Sequence, residues 1–104
     1  MDNKVYLAVS IIISGMEGDE RHDDTDVLAV CKSREKAEEI IEGFDPEDYM
    51  LFPDCLGPKE WDKFGDECDY PSLLRMIKFK TTDMGEENFV TYIYMKIVET
   101  EVLE

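Results

Sequence analysis

The run FVTYIYMKIVETEVL at residues 89–103 puts Phe89, Ile93 and Ile97 on one face of an extended chain and Val90, Tyr92, Tyr94 and Val98 on the other. A strand that is apolar on both faces has to be covered on both, so it belongs in the middle of a sheet and the rest of the chain must supply its neighbours. Residues 4–13 (KVYLAVSIII) supply one, being rich in β-branched residues with Val5, Leu7, Val9, Ile11 and Ile13 sharing a face at period two. An apolar run behind a lysine is also the outline of a secretion signal. Asp2 in its basic region and the want of a small-residue cleavage site make a strand the better reading.

The remaining elements follow from patterning. Residues 14–25 (SGMEGDERHDDT) break the apolar pattern with two glycines and five acids and read as an exposed loop. Residues 26–32 (DVLAVCK) read as a second strand, antiparallel to the first. Ser33 is placed to cap a helix in which Glu35 suits the positive end, Ala37, Ile40, Ile41 and Phe44 form the buried stripe, and Gly43 supplies the stop. Residues 45–69 lose all periodicity across three prolines, two glycines and nine acids, which predicts an irregular segment with short helical turns at Asp45-Pro46 and at Pro58 ahead of Trp61. Residues 73–82 read as a strand after a helical turn at Ser72, and a polar turn around Gly85 joins them to residues 89–103 as a hairpin. The expected fold class is α+β, an antiparallel sheet of about four strands with one main helix packed on it and a long irregular acidic segment. At this length residues 1–104 are expected to form a single domain.

Charge is the strongest functional signal. Twenty-six Asp and Glu against eleven Lys and Arg leave a formal charge of -15, yet 43% hydrophobic content is enough to build a core. A field of this sign repels nucleic acid and anionic membranes, so neither is expected as a direct partner, and it speeds encounter with basic protein surfaces. No apolar run approaches the roughly 18 residues that a spanning helix needs. Cys31, Cys55 and Cys68 are an odd number without framework spacing, which favours structural thiols in a reducing, cytoplasmic setting.

Catalytic and metal chemistry find little support. His22 is the sole histidine and sits beside Asp23 and Asp24 in the acidic stretch, where a surface role outweighs general-base work; its pairing with a cysteine nucleophile has no motif behind it. Asp19, Glu20, Asp23, Asp24 and Asp26 put five carboxylates in eight residues, a composition suited to calcium or magnesium, but the alternation and terminal glutamate of a calcium loop are missing. Zinc at Cys55, Cys68 and His22 lacks a close cysteine pair. No phosphate-cradling glycine loop or nucleophile elbow occurs. The chain is therefore expected to be no enzyme and to hold no catalytic residue, metal or cofactor.

The acids gather in the first loop, on the outer helix face and in residues 45–69, and a carboxylate array at phosphate-like spacing can occupy the Lys and Arg with which a protein holds DNA or RNA. Acid-rich stretches such as EGDERHDDTD and DPEDYMLFPDC, short length and a charge of -15 make the chain resemble the small acidic inhibitors of phages and mobile elements, including DNA-mimicking anti-restriction proteins and anti-CRISPR proteins. The resemblance implies non-catalytic inhibition by occupying the basic nucleic-acid-binding surface of a host defence nuclease, anti-CRISPR action being the more specific form, in the cytoplasm of an infected bacterial cell. The candidate partner-binding residues are Glu17, Asp19, Glu20, Asp23, Asp24, Asp26, Asp45, Glu47, Asp48, Asp54, Glu60, Trp61, Asp62, Asp66, Glu67 and Asp69. Tyr49, Phe52, Trp61, Phe64 and Tyr70 are interleaved with them as candidate apolar anchors, core packing being the better reading for Trp61. An acidic adaptor for some other basic protein and a divalent-cation-binding domain are the alternatives.

Overall fold

The computed structural model describes residues 3–16, 22–49, 58–83 and 87–102. They form one antiparallel sheet of five strands, β1 (Lys4–Met16), β2 (His22–Cys31), β3 (Lys59–Phe64), β4 (Arg75–Asp83) and β5 (Glu87–Glu101), in the order β2-β1-β5-β4-β3. Two helices, α1 (Arg34–Glu42) and the single turn α2 (Pro46–Tyr49), and a 3-10 turn at Gly65–Glu67 complete the described elements. The strand read as central is central: β5 pairs with β1 along thirteen residues, from Lys4 opposite Glu101 to Met16 opposite Phe89, and with β4 on its other side. That long ladder stretches the molecule to 56 × 28 × 24 Å, with a radius of gyration of 15.2 Å where a compact chain of this length has about 13 Å.

Several elements differ from the sequence expectations. The fifth strand, β3, occupies Lys59–Phe64, where a helical turn after Pro58 was expected. Its pattern was hidden because Asp62 points to the face that packs against α1 and meets a cation there, so no apolar alternation is visible. The stretch 14–25 is not all loop: β1 runs on to Met16 and β2 begins at His22, since the backbone ladder of an edge strand needs no apolar side chains to form. The face of β1 at the main core is the even one, Tyr6, Ala8, Ser10 and Ile12, rather than the more apolar odd one. Ser72 lies in a turn closed by the Leu73 N–H on the Tyr70 carbonyl at 3.0 Å, with no helix assigned.

The helix forms where the sequence places it. Ser33 Oγ accepts from the Lys36 N–H at 3.2 Å, and the Gly43 N–H closes the other end on the Glu39 carbonyl at 2.9 Å. Ala37 and Ile41 are fully buried against Ala8, Cys31, Ile77, Phe79, Ile93 and Met95, with Ile40 and Phe44 flanking. At roughly 1.5–3 kcal/mol for a fully buried aliphatic side chain, Ile41 alone supplies a sizeable part of what holds α1 down.

The last turn of α1 contains no basic residue. Arg75 supplies one from the start of β4. Its Nη1 donates to the carbonyls of Ile41 and Phe44, each at 2.8 Å, and to that of Glu42 at 3.4 Å, while Nε and Nη2 form a two-point pair with Asp62 of β3 at 2.9 and 2.7 Å. Phe64 lies against the same guanidinium, 4.7 Å from its ring centroid. One buried side chain thus satisfies the open carbonyls of a helix end and ties edge strand β3 to it.

The opposite sheet face carries Leu7, Val9, Ile11 and Ile13 of β1, Tyr92, Tyr94 and Val98 of β5, and Trp61 of β3. Tyr92 and Tyr94 stack at 6.0 Å and Trp61 leans on Tyr92 at 6.3 Å. Val9 and Met76 are buried on this face by the bulk of their neighbours.

Candidate partner-binding surface

Sequence order brings the acids into two segments, and strand order then separates them. Asp23, Asp24 and Asp26 lie in β2 and Glu60 and Asp62 in β3, the two margins of the sheet, four strand spacings or about 19 Å apart. Asp45 directly precedes α2 and Glu47 and Asp48 lie within it, and Asp45 Oδ1 accepts from the Glu47 N–H at 3.0 Å. Asp66 and Glu67 stand in the 3-10 turn and Asp69 just beyond it. Glu17, Asp19, Glu20 and Asp54 lie outside the described residues, as do Phe52 and Cys55.

The two margins differ electrostatically. On the β3 side carboxylates meet cations: Glu60 with Lys78 at 2.8 Å, Asp62 with Arg75 at 2.7 Å and Lys59 at 3.3 Å, and Asp69 with Lys63 at 3.7 Å. Burial by itself pushes the Asp62 carboxyl up, but the hydrogen bonds and charges of Arg75, then of Lys59, outweigh it and hold the group below the ordinary carboxylate value. The hydrogen bonds that Asp62 accepts from Arg75 and Lys59 give it a structural role in holding β3. Lys63 also lies 5.4 Å from the Trp61 ring centroid, and Trp61 is half-buried in the aromatic row.

On the β2 side the balance is different. Asp23, Asp24 and Asp26 are exposed, and Asp23 and Asp24 have no ion pair among the described residues. The helix leaving the end of β2 packs over β1, β2 and β5 and continues the negative margin. Its Glu38 and Glu39 pair with Arg34 and Lys36 at 3.2 and 3.4 Å, whereas Glu35 and Glu42 have no ion pair among the described residues. Exposed pairs of this kind are worth at most about 1 kcal/mol and neutralise the helix only in part. Beside these acids Val27 and Val30 are 50% and 65% exposed. Sequence reasoning missed them because it placed residues 26–32 in a strand without knowing that the strand would be an edge.

Little in the described residues supports other chemistry. No group of three or more His, Cys, Asp or Glu side chains converges among them. The strand geometry of β2 sets Asp23 on the opposite face from Asp24 and Asp26, which divides the carboxylates counted toward a cation site. Cys31 is buried in the core, and burial, followed by the charge of Asp69, raises the Cys68 thiol above its ordinary value. Between Ile11, Ile13, Tyr70, Leu73, Tyr94 and Lys96 the aromatic face has an open groove of about 360 Å³. No helix among the described residues is long and apolar enough to cross a membrane. No family model, curated protein or solved structure matches this chain.

Proposed function

We propose that the protein is a non-catalytic inhibitor that uses its β2 and α1 margin to occupy the basic, nucleic-acid-binding surface of a host defence nuclease, in the manner of the anti-CRISPR proteins. The observation that carries this reading is the asymmetry of charge compensation. The carboxylates of β3 are largely engaged with Lys and Arg of the same chain, while Asp23 and Asp24 of β2 are exposed near Val27 and without ion pairs among the described residues. An exposed array of carboxylates is attracted to Lys and Arg arranged for phosphates, and adjacent apolar side chains supply the desolvated contacts that charge alone lacks.

The test is competition. A panel of purified defence nucleases, CRISPR effectors included, is assayed for DNA binding with and without the protein across a salt series. Inhibition of at least one effector is expected, weakening steeply between 50 and 300 mM salt, roughly as screening demands. Reversal of Asp23, Asp24 and Glu35 to lysine is expected to weaken it at least tenfold, and reversal of Asp66 and Glu67 far less. Inhibition untouched by the first set would refute charge mimicry through this margin.

A further inference from the structure

From the margin of the sheet we infer that β2 is a docking edge for an extended basic segment of the partner, which joins the sheet as a sixth, antiparallel or parallel strand. This rests on the reading that the partner is a basic protein, and it specifies how that partner is held.

Three features of β2 carry the inference. The first is its open edge. In the strand order β2 is terminal, and among the described residues nothing pairs with its outer side, which leaves a row of backbone donors and acceptors directed outward. Every residue described from Asp23 to Val27 is exposed.

The second is a boundary. Ala8 pairs with Ala29 and Val9 with Val27, so Leu28 is an extra residue, a bulge whose side chain packs on the core. A bulge bends an edge and ends regular pairing. The regular edge is therefore the short stretch ahead of Leu28, long enough for five or six residues of partner chain.

The third is chemistry that selects the occupant. Asp24 and Asp26 lie on the α1 face of the sheet, opposite Ile12 and Ser10 of β1, while Thr25 and Val27 lie on the aromatic face, opposite Ile11 and Val9. A second copy of the chain is disfavoured. Antiparallel pairing of two β2 edges about Thr25 would set Asp24 against Asp26 twice, like charges directly across from one another. An added strand that suits this edge alternates at period two, with Lys or Arg beside Asp24 and Asp26 and a β-branched or apolar residue beside Thr25 and Val27. The backbone holds the segment and the two side-chain rows read its pattern.

The experiment uses the full chain, isotopically labelled for amide NMR, at 100 mM salt. The probe is a blocked hexapeptide of alternating Lys and Val. Its controls are the same peptide with its central Val replaced by Pro, and a hexapeptide of alternating Glu and Val. Expected are shifts concentrated at the amides of residues 23–27, slowed hydrogen exchange of alternate amides there, at least tenfold weaker binding of the Pro peptide, no binding of the Glu peptide, and loss of binding in the D24K/D26K variant.

Equal binding of the Pro peptide, or shifts confined to α1, would overturn strand addition while leaving a basic partner in place. Absence of any binding would overturn it as well, and the nuclease competition assay would then judge the inhibitor reading separately. If D24K/D26K fails to fold, the Pro and Glu peptides on the parent protein decide the matter alone.

Discussion

Replacing Arg75 by methionine removes a side chain that links the end of α1 to β3. The side chains of Arg75 and Asp62 are 7% and 15% exposed, so their pair is made mostly out of water. Removing one partner of a buried, hydrogen-bonded ion pair costs about 3–5 kcal/mol because the other is left uncompensated. Here the lower end applies, since Asp62 keeps Lys59 at 3.3 Å and some access to water. The carbonyls of Ile41, Glu42 and Phe44 lose their donor at the same time, which keeps the cost from falling much below about 3 kcal/mol. For a domain of this size that is a fall in Tm of about 12–24 °C.

Urea titration followed by circular dichroism measures the loss directly, and the series around it separates the causes. R75K keeps the charge but not the fork and is expected between the parent and R75M. D62N keeps an acceptor and loses the charge, for about 1–2 kcal/mol. The double variant R75M/D62N removes both charges and is expected to be more stable than the sum of its parts by about 1–3 kcal/mol. An R75M protein within 0.5 kcal/mol of the parent, or strict additivity in the cycle, would refute the structural role given to this cluster.

The depressed Asp62 carboxyl makes a pH prediction: a group whose folded-state value lies below its unfolded one, near 3.9, stabilises fully above that unfolded value and loses the contribution as pH falls through the folded value. The stability difference between parent and D62N should therefore be constant from pH 7 to about 5 and shrink below about 4, and a difference that grows on acidification would contradict it. Ser10 Oγ is fully buried and has no hydrogen-bond partner among the described residues, so S10A is expected to stabilise by about 1 kcal/mol, read as a higher urea midpoint; a loss of that size would mean the hydroxyl is satisfied. Cys68, with its thiol raised and its Sγ on the Lys63 carbonyl at 3.5 Å, should alkylate more slowly at pH 8 than a cysteine in a short peptide, measured residue by residue by peptide mass spectrometry; equal rates would show an accessible thiolate.

Much of the architecture was legible in the side-chain pattern because burial imposes period two on strands and near-period four on helices. The apolar residues on both faces of residues 89–103 gave away the central strand, and Ser33, Ala37, Ile41 and Gly43 marked α1 with its caps. The elements that were misread are those whose stability comes from somewhere other than their own apolar residues. β3 reads KEWDKF and is held by Asp62 on Arg75, a partner thirteen residues away in sequence. The start of β2 is held by the β1 ladder while the side chains of residues 23–27 are exposed.

The candidate surface was legible in composition and not in arrangement. A charge of -15 and the acid-rich stretches follow from the residues alone, and so does the repulsion of nucleic acid. Which acids are available to a partner depends on the order in which strands meet. That order puts β2 and β3 at opposite margins, gives the second a set of lysines and Arg75 from the same chain, and leaves Asp23 and Asp24 without ion pairs among the described residues at the first. Period and propensity are local and can be read along the chain. Charge compensation acts between residues far apart in sequence, so only the tertiary structure decides it.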